Sequence, residues 1–93
     1  MSQALRVTVL FGGQLAEAAG VHREELELPE GSSLADLLGE LGRIHGPRLT
    51  SAMAGRVLVL VNGRSAEPSR AGEVRLSDGD FVSILPPVSG GLT

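Results

Sequence analysis

The chemistry of this chain is concentrated at its end. Pro86, Pro87, Val88, Ser89, Gly90, Gly91, Leu92 and Thr93 follow a short apolar strand, Phe81 to Leu85, and carry no charge. Proline has no N–H to give a sheet ladder, so Pro86 and Pro87 end the strand and hold the chain extended. At roughly 3.3 Å per residue, Pro86 to Gly91 reaches about 20 Å, far enough to enter another protein's active site. Gly90 and Gly91 lack a Cβ, so the backbone there passes through a channel that excludes any other residue. What such a tail delivers is a carboxyl terminus.

Other chemistry-bearing residues are weaker candidates. His22 and His45 are the only histidines, and with no cysteine in the chain they would need carboxylates from elsewhere to hold a metal; surface or loop histidines are the expectation. Asp78 and Asp80 have a calcium-loop spacing without the remaining ligands or the closing glutamate, so they read as a turn. Gly12-Gly13 after a strand lacks the third glycine or the Lys-Ser pair of a phosphate loop and reads as a kink. Glu24 and Glu25 lie in an acidic strand edge with no cleft to make them an acid and base pair. Nothing forms a catalytic constellation, so the chain reads as a carrier or substrate rather than an enzyme.

The order Asp78-Gly79-Asp80, apolar strand, Pro86-Pro87-Val88, Gly90-Gly91 resembles the closing motif of the small subunit of molybdopterin synthase and of its MoaD/ThiS-like relatives, the ubiquitin-like sulfur carriers. The similarity extends back to Val61-Asn62-Gly63 and to Val7 through Gly20, and so covers nearly the whole chain. It implies a β-grasp fold and a mechanism. A ubiquitin-activating-type enzyme uses ATP and magnesium to adenylate the carboxylate of Gly91, and sulfur from a persulfide displaces AMP to leave a thiocarboxylate. A sulfur-accepting synthase then draws the tail in and takes the sulfur. Gly91 supplies the reacting carbonyl, Gly90 the clearance, and Pro86 to Ser89 the reach. The carrier itself binds no cofactor stably.

The chain departs from the pattern by continuing to Leu92 and Thr93, which ties Gly91 in a peptide bond. The expectation is a proprotein from which a protease, a zinc-dependent JAMM-type metalloprotease by resemblance, removes Leu92-Thr93. The pathway served stays open: molybdenum cofactor, cysteine, thiolated tRNA or a sulfur-containing natural product. An alternative of a different class is a ubiquitin-like modifier conjugated through Gly91 to target lysines. A third is a β-grasp binding module with no terminal chemistry.

The elements that position the tail follow from periodicity. Leu5, Val7, Val9 and Phe11 alternate with Arg6, Thr8 and Leu10, the period of a half-buried strand. Gln14 to Ala19 predicts a short helix stopped by Gly20. Arg23 to Leu28 predicts a second strand, antiparallel to the first. Ser32 or Ser33 caps a helix whose stripe is Leu34, Leu37, Leu38, Leu41 and Ile44. Gly46-Pro47 ends it, Arg48 to Gly55 reads as loose, and Val57 to Val61 reads as a central strand covered on both sides, at least when a partner is bound. Asn62-Gly63 is a tight turn, Ser65 to Gly72 a loop, Glu73 to Leu76 a short edge strand, and Phe81 to Leu85 the last strand. The sum is an α+β fold, a mixed sheet of four to five strands with one main helix packed on one face. The domain spans residues 1–85 and a flexible tail residues 86–93.

If Val82 and Ile84 face the helix, Phe81, Ser83 and Leu85 face outward near Leu10, and one set of Val57 to Val61 points the same way. Exposed apolar residues on a sheet face mark a binding surface. The resemblance implies that the same face docks the activating enzyme and the acceptor, and Leu10, Phe81, Leu85, Pro86, Pro87 and Val88 are the candidate partner-binding residues, with Leu85, immediately before the tail, foremost. Composition narrows the partners. At 93 residues there is room for one domain, and a net charge of −3 without a basic run argues against nucleic acid. No apolar run or signal core points to a membrane, so a cytoplasmic location is expected. Without cysteine, sulfur chemistry must occur on the terminus or on a partner. All eight basic residues are arginine, so an activated terminus finds no side-chain amine on its own chain.

Overall fold

In the computed structural model, which describes residues 3–54 and 56–87, the first alternation forms β1 (Ala4–Phe11) with Leu5, Val7, Val9 and Phe11 buried. Gly12 and Gly13 turn the chain into α1 (Gln14–Ala19), and Gly20 closes that helix in the left-handed conformation at φ 82°. β2 (Arg23–Pro29) returns antiparallel to β1, with Leu26 opposite Val7 and Leu28 opposite Leu5.

α2 (Leu34–His45) begins at a capping box. Ser33 Oγ accepts the Asp36 amide at 3.2 Å, and the Asp36 carboxylate accepts the Ser33 amide at 2.9 Å. Leu34, Leu37 and Leu41 are fully buried, as the stripe requires, whereas Ile44 is 41% exposed. Helix geometry gives the reason: with 3.6 residues per turn, His45 falls about 20° from Leu34 around the axis and Ile44 about 80° away. The last turn therefore turns His45 inward and Ile44 outward.

The segment from Arg48 onward is not loose. It forms α3 (Pro47–Met53), with proline at the start, where a missing N–H is harmless, and with Leu49 fully buried as its anchor. β3 (Leu58–Val61) and β4 (Arg64–Ala66) pair through Asn62-Gly63, whose φ values of 53° and 84° suit a primed hairpin turn. The edge strand expected at Glu73 to Leu76 does not form. Pro68 instead opens a 3-10 helix (Pro68–Glu73) that buries Ala71 and packs on α2, and Arg75 makes only an isolated bridge to Ser33. The short edge strand is β4, within residues that read as turn and loop.

β5 (Phe81–Leu85) enters between β1 and β3, parallel to the first and antiparallel to the second, giving the order β2-β1-β5-β3-β4. The central strand is thus β5. The run from Val57 lies one place from the edge, with Val59 buried and its neighbours half-buried, because the core covers only one face of the sheet. A five-stranded mixed sheet with α2 as the main helix is the expected α+β, β-grasp arrangement. Among the described residues, no helix is long and apolar enough to cross a membrane.

Hydrogen bonds pin the entry of β5. Asp80 Oδ2 accepts the Ser77 amide at 2.7 Å, Asp78 Oδ1 accepts the Arg6 amide at 2.8 Å, and the Gly79 N–H donates to the Arg6 carbonyl at 2.8 Å. The aspartates hold a turn, as their spacing suggests. Asn62 grips the strand from the other side: its Oδ1 accepts the Phe81 N–H and its Nδ2 donates to Asp80 Oδ1, both at 2.9 Å.

Burial and bonding set two expectations. Leu37→Ala should lower the unfolding free energy by about 2–5 kcal/mol in urea melts, and Ile44→Ala by under about 1 kcal/mol; equal losses would contradict the outward turn of Ile44. Asn62→Ala removes both side-chain bonds at a left-handed position and should cost about 2 kcal/mol. A urea midpoint that does not move would show that β5 is registered without it.

Candidate functional site at the end of the central strand

The side chains of β5 divide cleanly. Val82 and Ile84 are fully buried beneath the helices, while Phe81, Ser83 and Leu85 take the outer face. Strand register sets their neighbours: Phe81 lies beside Thr8, Ser83 between Leu10 and Leu60, and Leu85 beside Leu58. Leu10, Leu58, Leu60 and Leu85 are each half-buried, and together they surround the small Ser83. Leu10 and Leu85 are thus brought onto one surface, and Leu58 and Leu60 are the outward set of β3. Their alternation was visible in the sequence, but only the register with β5 chooses the face.

Phe81, 45% exposed, belongs to the same face but begins the strand, about 13 Å from Leu85 by strand rise. Half-buried Pro86 and exposed Pro87 continue from Leu85. Val88, Gly90, Gly91 and Leu92 lie outside the described residues. Toward β2 the surface becomes charged, with Arg6–Glu27 at 3.0 Å and Arg23–Glu25 at 3.4 Å. The hydrogen bond to Glu27 raises the Arg6 guanidinium above its ordinary range. Such exposed pairs add little stability. They form a polar rim to an apolar strip, the anatomy of a docking surface.

The weaker candidates resolve differently. His22 is exposed, as expected. His45 is not a surface residue: its side chain is 12% exposed, its Nε2 lies 2.6 Å from Glu24 Oε1, and its ring meets Phe11 edge-on at 5.9 Å. Glu24 is correspondingly half-buried rather than solvated. The pair ties the end of α2 to β2. Among the described residues, no cluster of three or more His, Cys, Asp or Glu could hold a metal. The Gly12-Gly13 kink lies against Leu85 and Pro86, a contact that sequence spacing does not reveal.

These features have counterparts in known proteins. Two molybdopterin synthase sulfur carrier subunits are similar in sequence. That of Chlamydomonas reinhardtii is 37% identical over 94% of this chain and all of its own length. That of Mycobacterium tuberculosis is 35% identical over 94% of this chain and 99% of its own. Among solved structures, a putative molybdopterin converting factor subunit 1 from Pyrococcus furiosus aligns with a TM-score of 0.75 at 32% identity, covering 90% of this chain and 99% of its own. SAMP1 from Haloferax volcanii, a small archaeal modifier protein, gives 0.75 at 29% identity over 92% of this chain and 99% of its own. A complex of subunits 1 and 2 of the molybdopterin-converting factor from Helicobacter pylori contains a chain aligning at 0.64 with 25% identity, over 94% of this chain and all of its own. The ThiS family model matches residues 9–91, a span that takes in the end of β1, the central strand, Pro86-Pro87 and Gly90-Gly91. The chain belongs to the ThiS family and is a ubiquitin-like sulfur carrier of the MoaD/ThiS type.

Proposed function

We propose that this protein carries sulfur as a thiocarboxylate on Gly91 and gives it to a synthase of the molybdopterin type. The observation that carries the reading is the position of β5. The tail is rooted at the end of the central strand, next to the apolar strip of Leu10, Leu58, Leu60 and Leu85, which supports a reading in which a partner docked on that strip meets the tail. The family match ends at Gly91, with Leu92 and Thr93 beyond it. That supports a proprotein from which a metalloprotease of the JAMM type removes the residues after Gly91, Leu92 and Thr93 included.

The chemistry then runs in the cytoplasm on partner enzymes. An adenylating enzyme holding ATP and magnesium joins the Gly91 carboxylate to AMP and releases pyrophosphate. The terminal sulfur of a persulfide attacks the carbonyl, AMP leaves with the bonding pair, and a thiol cleaves the resulting acyl disulfide to the thiocarboxylate and a new disulfide. The acceptor synthase takes the sulfur, and water restores the carboxylate. In this account the chain is the non-catalytic subunit, and its synthase partner corresponds to subunit 2 of the Helicobacter complex. The similarity to SAMP1 supports the second reading, a modifier joined through Gly91 to lysines.

Two experiments test these assignments. In an adenylation assay, the chain ending at Gly91 should support ATP–pyrophosphate exchange and gain about 16 Da on sulfur loading, the O-to-S mass difference at a terminal carboxyl. The full-length chain should do neither until Leu92-Thr93 is removed. Equal activity of both forms without protease would falsify the proprotein reading, and lysine-dependent adducts in place of the mass gain would favour the modifier. Separately, Leu85→Arg should keep a cooperative melt while weakening partner binding by at least about 1–2 kcal/mol. Unchanged affinity in calorimetry would remove Leu85 from the docking surface.

A further inference from the structure

We propose that Gly12 and Gly13 are positioning residues, a side-chain-free seat that fixes Leu85 and Pro86 and so sets where the tail begins. The seat is a matter of geometry, and its consequence for activity rests on the carrier reading above.

Gly12 continues the alternation of β1, with Leu10 outward, Phe11 inward and Gly12 outward again. Its backbone is held: the Gly12 N–H donates to the Ile84 carbonyl at 3.0 Å, and the Phe11 N–H donates to the His22 carbonyl at 2.9 Å. The φ of Gly12 is not positive, so its backbone does not itself require glycine. What glycine supplies at this position is empty space. A Cβ on Gly12 would stand 2.6 Å from Leu85 Cδ2, nearer than carbon atoms approach without movement. Leu85 occupies the volume that every other residue type would fill.

Gly13 completes the seat in a different way. Its φ of 53° is left-handed, and a Cβ there would lie 3.2 Å from Pro86 Cγ. The proline ring locks its own φ and can yield only by a change of pucker at Cγ. The two glycines therefore have separable consequences. A side chain at Gly12 meets the free end of a leucine, which can rotate away while the strand stays paired. A side chain at Gly13 meets both backbone strain and the ring at the first tail residue. In the carrier reading, Leu85 is the anchor nearest the tail, so turning it spoils docking rather than folding.

The test uses the chain ending at Gly91. Gly12→Ala should shift the Leu85 δ-methyl carbon signals, which report the side-chain rotamer, while the melting temperature changes by no more than about 4 °C, the scale of 1 kcal/mol for a domain of this size. With the adenylating enzyme, KM should rise about tenfold with kcat within about twofold, the pattern of lost docking without lost chemistry. Adding Leu85→Val, which deletes the colliding methyl, should bring Gly12→Ala to within about threefold of Leu85→Val alone, a coupling expected only of residues in contact. Unmoved Leu85 methyl signals overturn the seat. Moved signals with an unchanged KM, or a loss that Leu85→Val does not relieve, overturn the positioning role. If the unsubstituted chain ending at Gly91 is not adenylated at all, the carrier reading fails and the positioning role with it, while the methyl spectrum still decides the seat.

Discussion

A strand inside a sheet must satisfy polar groups on both of its edges at once, and here that strand is the last to leave the domain. β5 pairs parallel with β1 and antiparallel with β3, so its register ties the first strand to the hairpin of Asn62-Gly63. A parallel neighbour cannot be reached by a tight turn, and the whole chain from Gly12 to Asp80 serves as the crossover. The contacts that close it are between distant residues, and Asn62, Asp78 and Asp80 secure them at one end. Everything proposed for the tail depends on this pairing, because it holds on both edges the strand from which the tail departs.

One-sided packing follows from the same topology. With α1, α2 and α3 contributing Leu15, Leu37 and Leu49 to a single core, no helix among the described residues buries the opposite face of the sheet. A cluster of leucines around Ser83 is then left half-covered by its own neighbours. Four residues on three adjacent strands give a continuous strip, which a partner can cover without any change in the fold. The edges are guarded differently: β2 carries exposed Arg23, Glu25 and Glu27, and β4 is three residues long, both of which discourage pairing with another sheet.

The sequence was most legible where one residue type has one physical use. Alternation placed β1, β2 and β5, glycine stopped α1, and the serine before Leu34 capped α2. It was least legible where a choice depends on tertiary partners. Glu73 to Leu76 has the composition of a strand, but the proline-led turn before it packs on α2 instead. Val57 to Val61 is apolar throughout, yet its rank in the sheet is set by where β5 inserts. Ile44 and His45 show the limit of a stripe read from apolarity alone: the helix angle favours His45, and Glu24 supplies the polar partner that lets it lie inside. The seat under Leu85 joins residues more than seventy positions apart, and no local pattern could announce it.

The same economy extends to what the domain does not offer. On the proposed chemistry, an activated carbonyl at Gly91 reacts with the first competent nucleophile it meets, and a carrier is useful only if that nucleophile belongs to a partner. The chain has no cysteine, tyrosine or lysine, which leaves hydroxyls, carboxylates and two imidazoles as its side-chain nucleophiles. Unactivated hydroxyls are poor acyl acceptors near neutral pH. One imidazole, His45, is largely enclosed and engaged by Glu24. A domain so composed holds a reactive terminus without competing for it, so the choice of acceptor passes to whichever protein fits the leucine strip at the root of the tail.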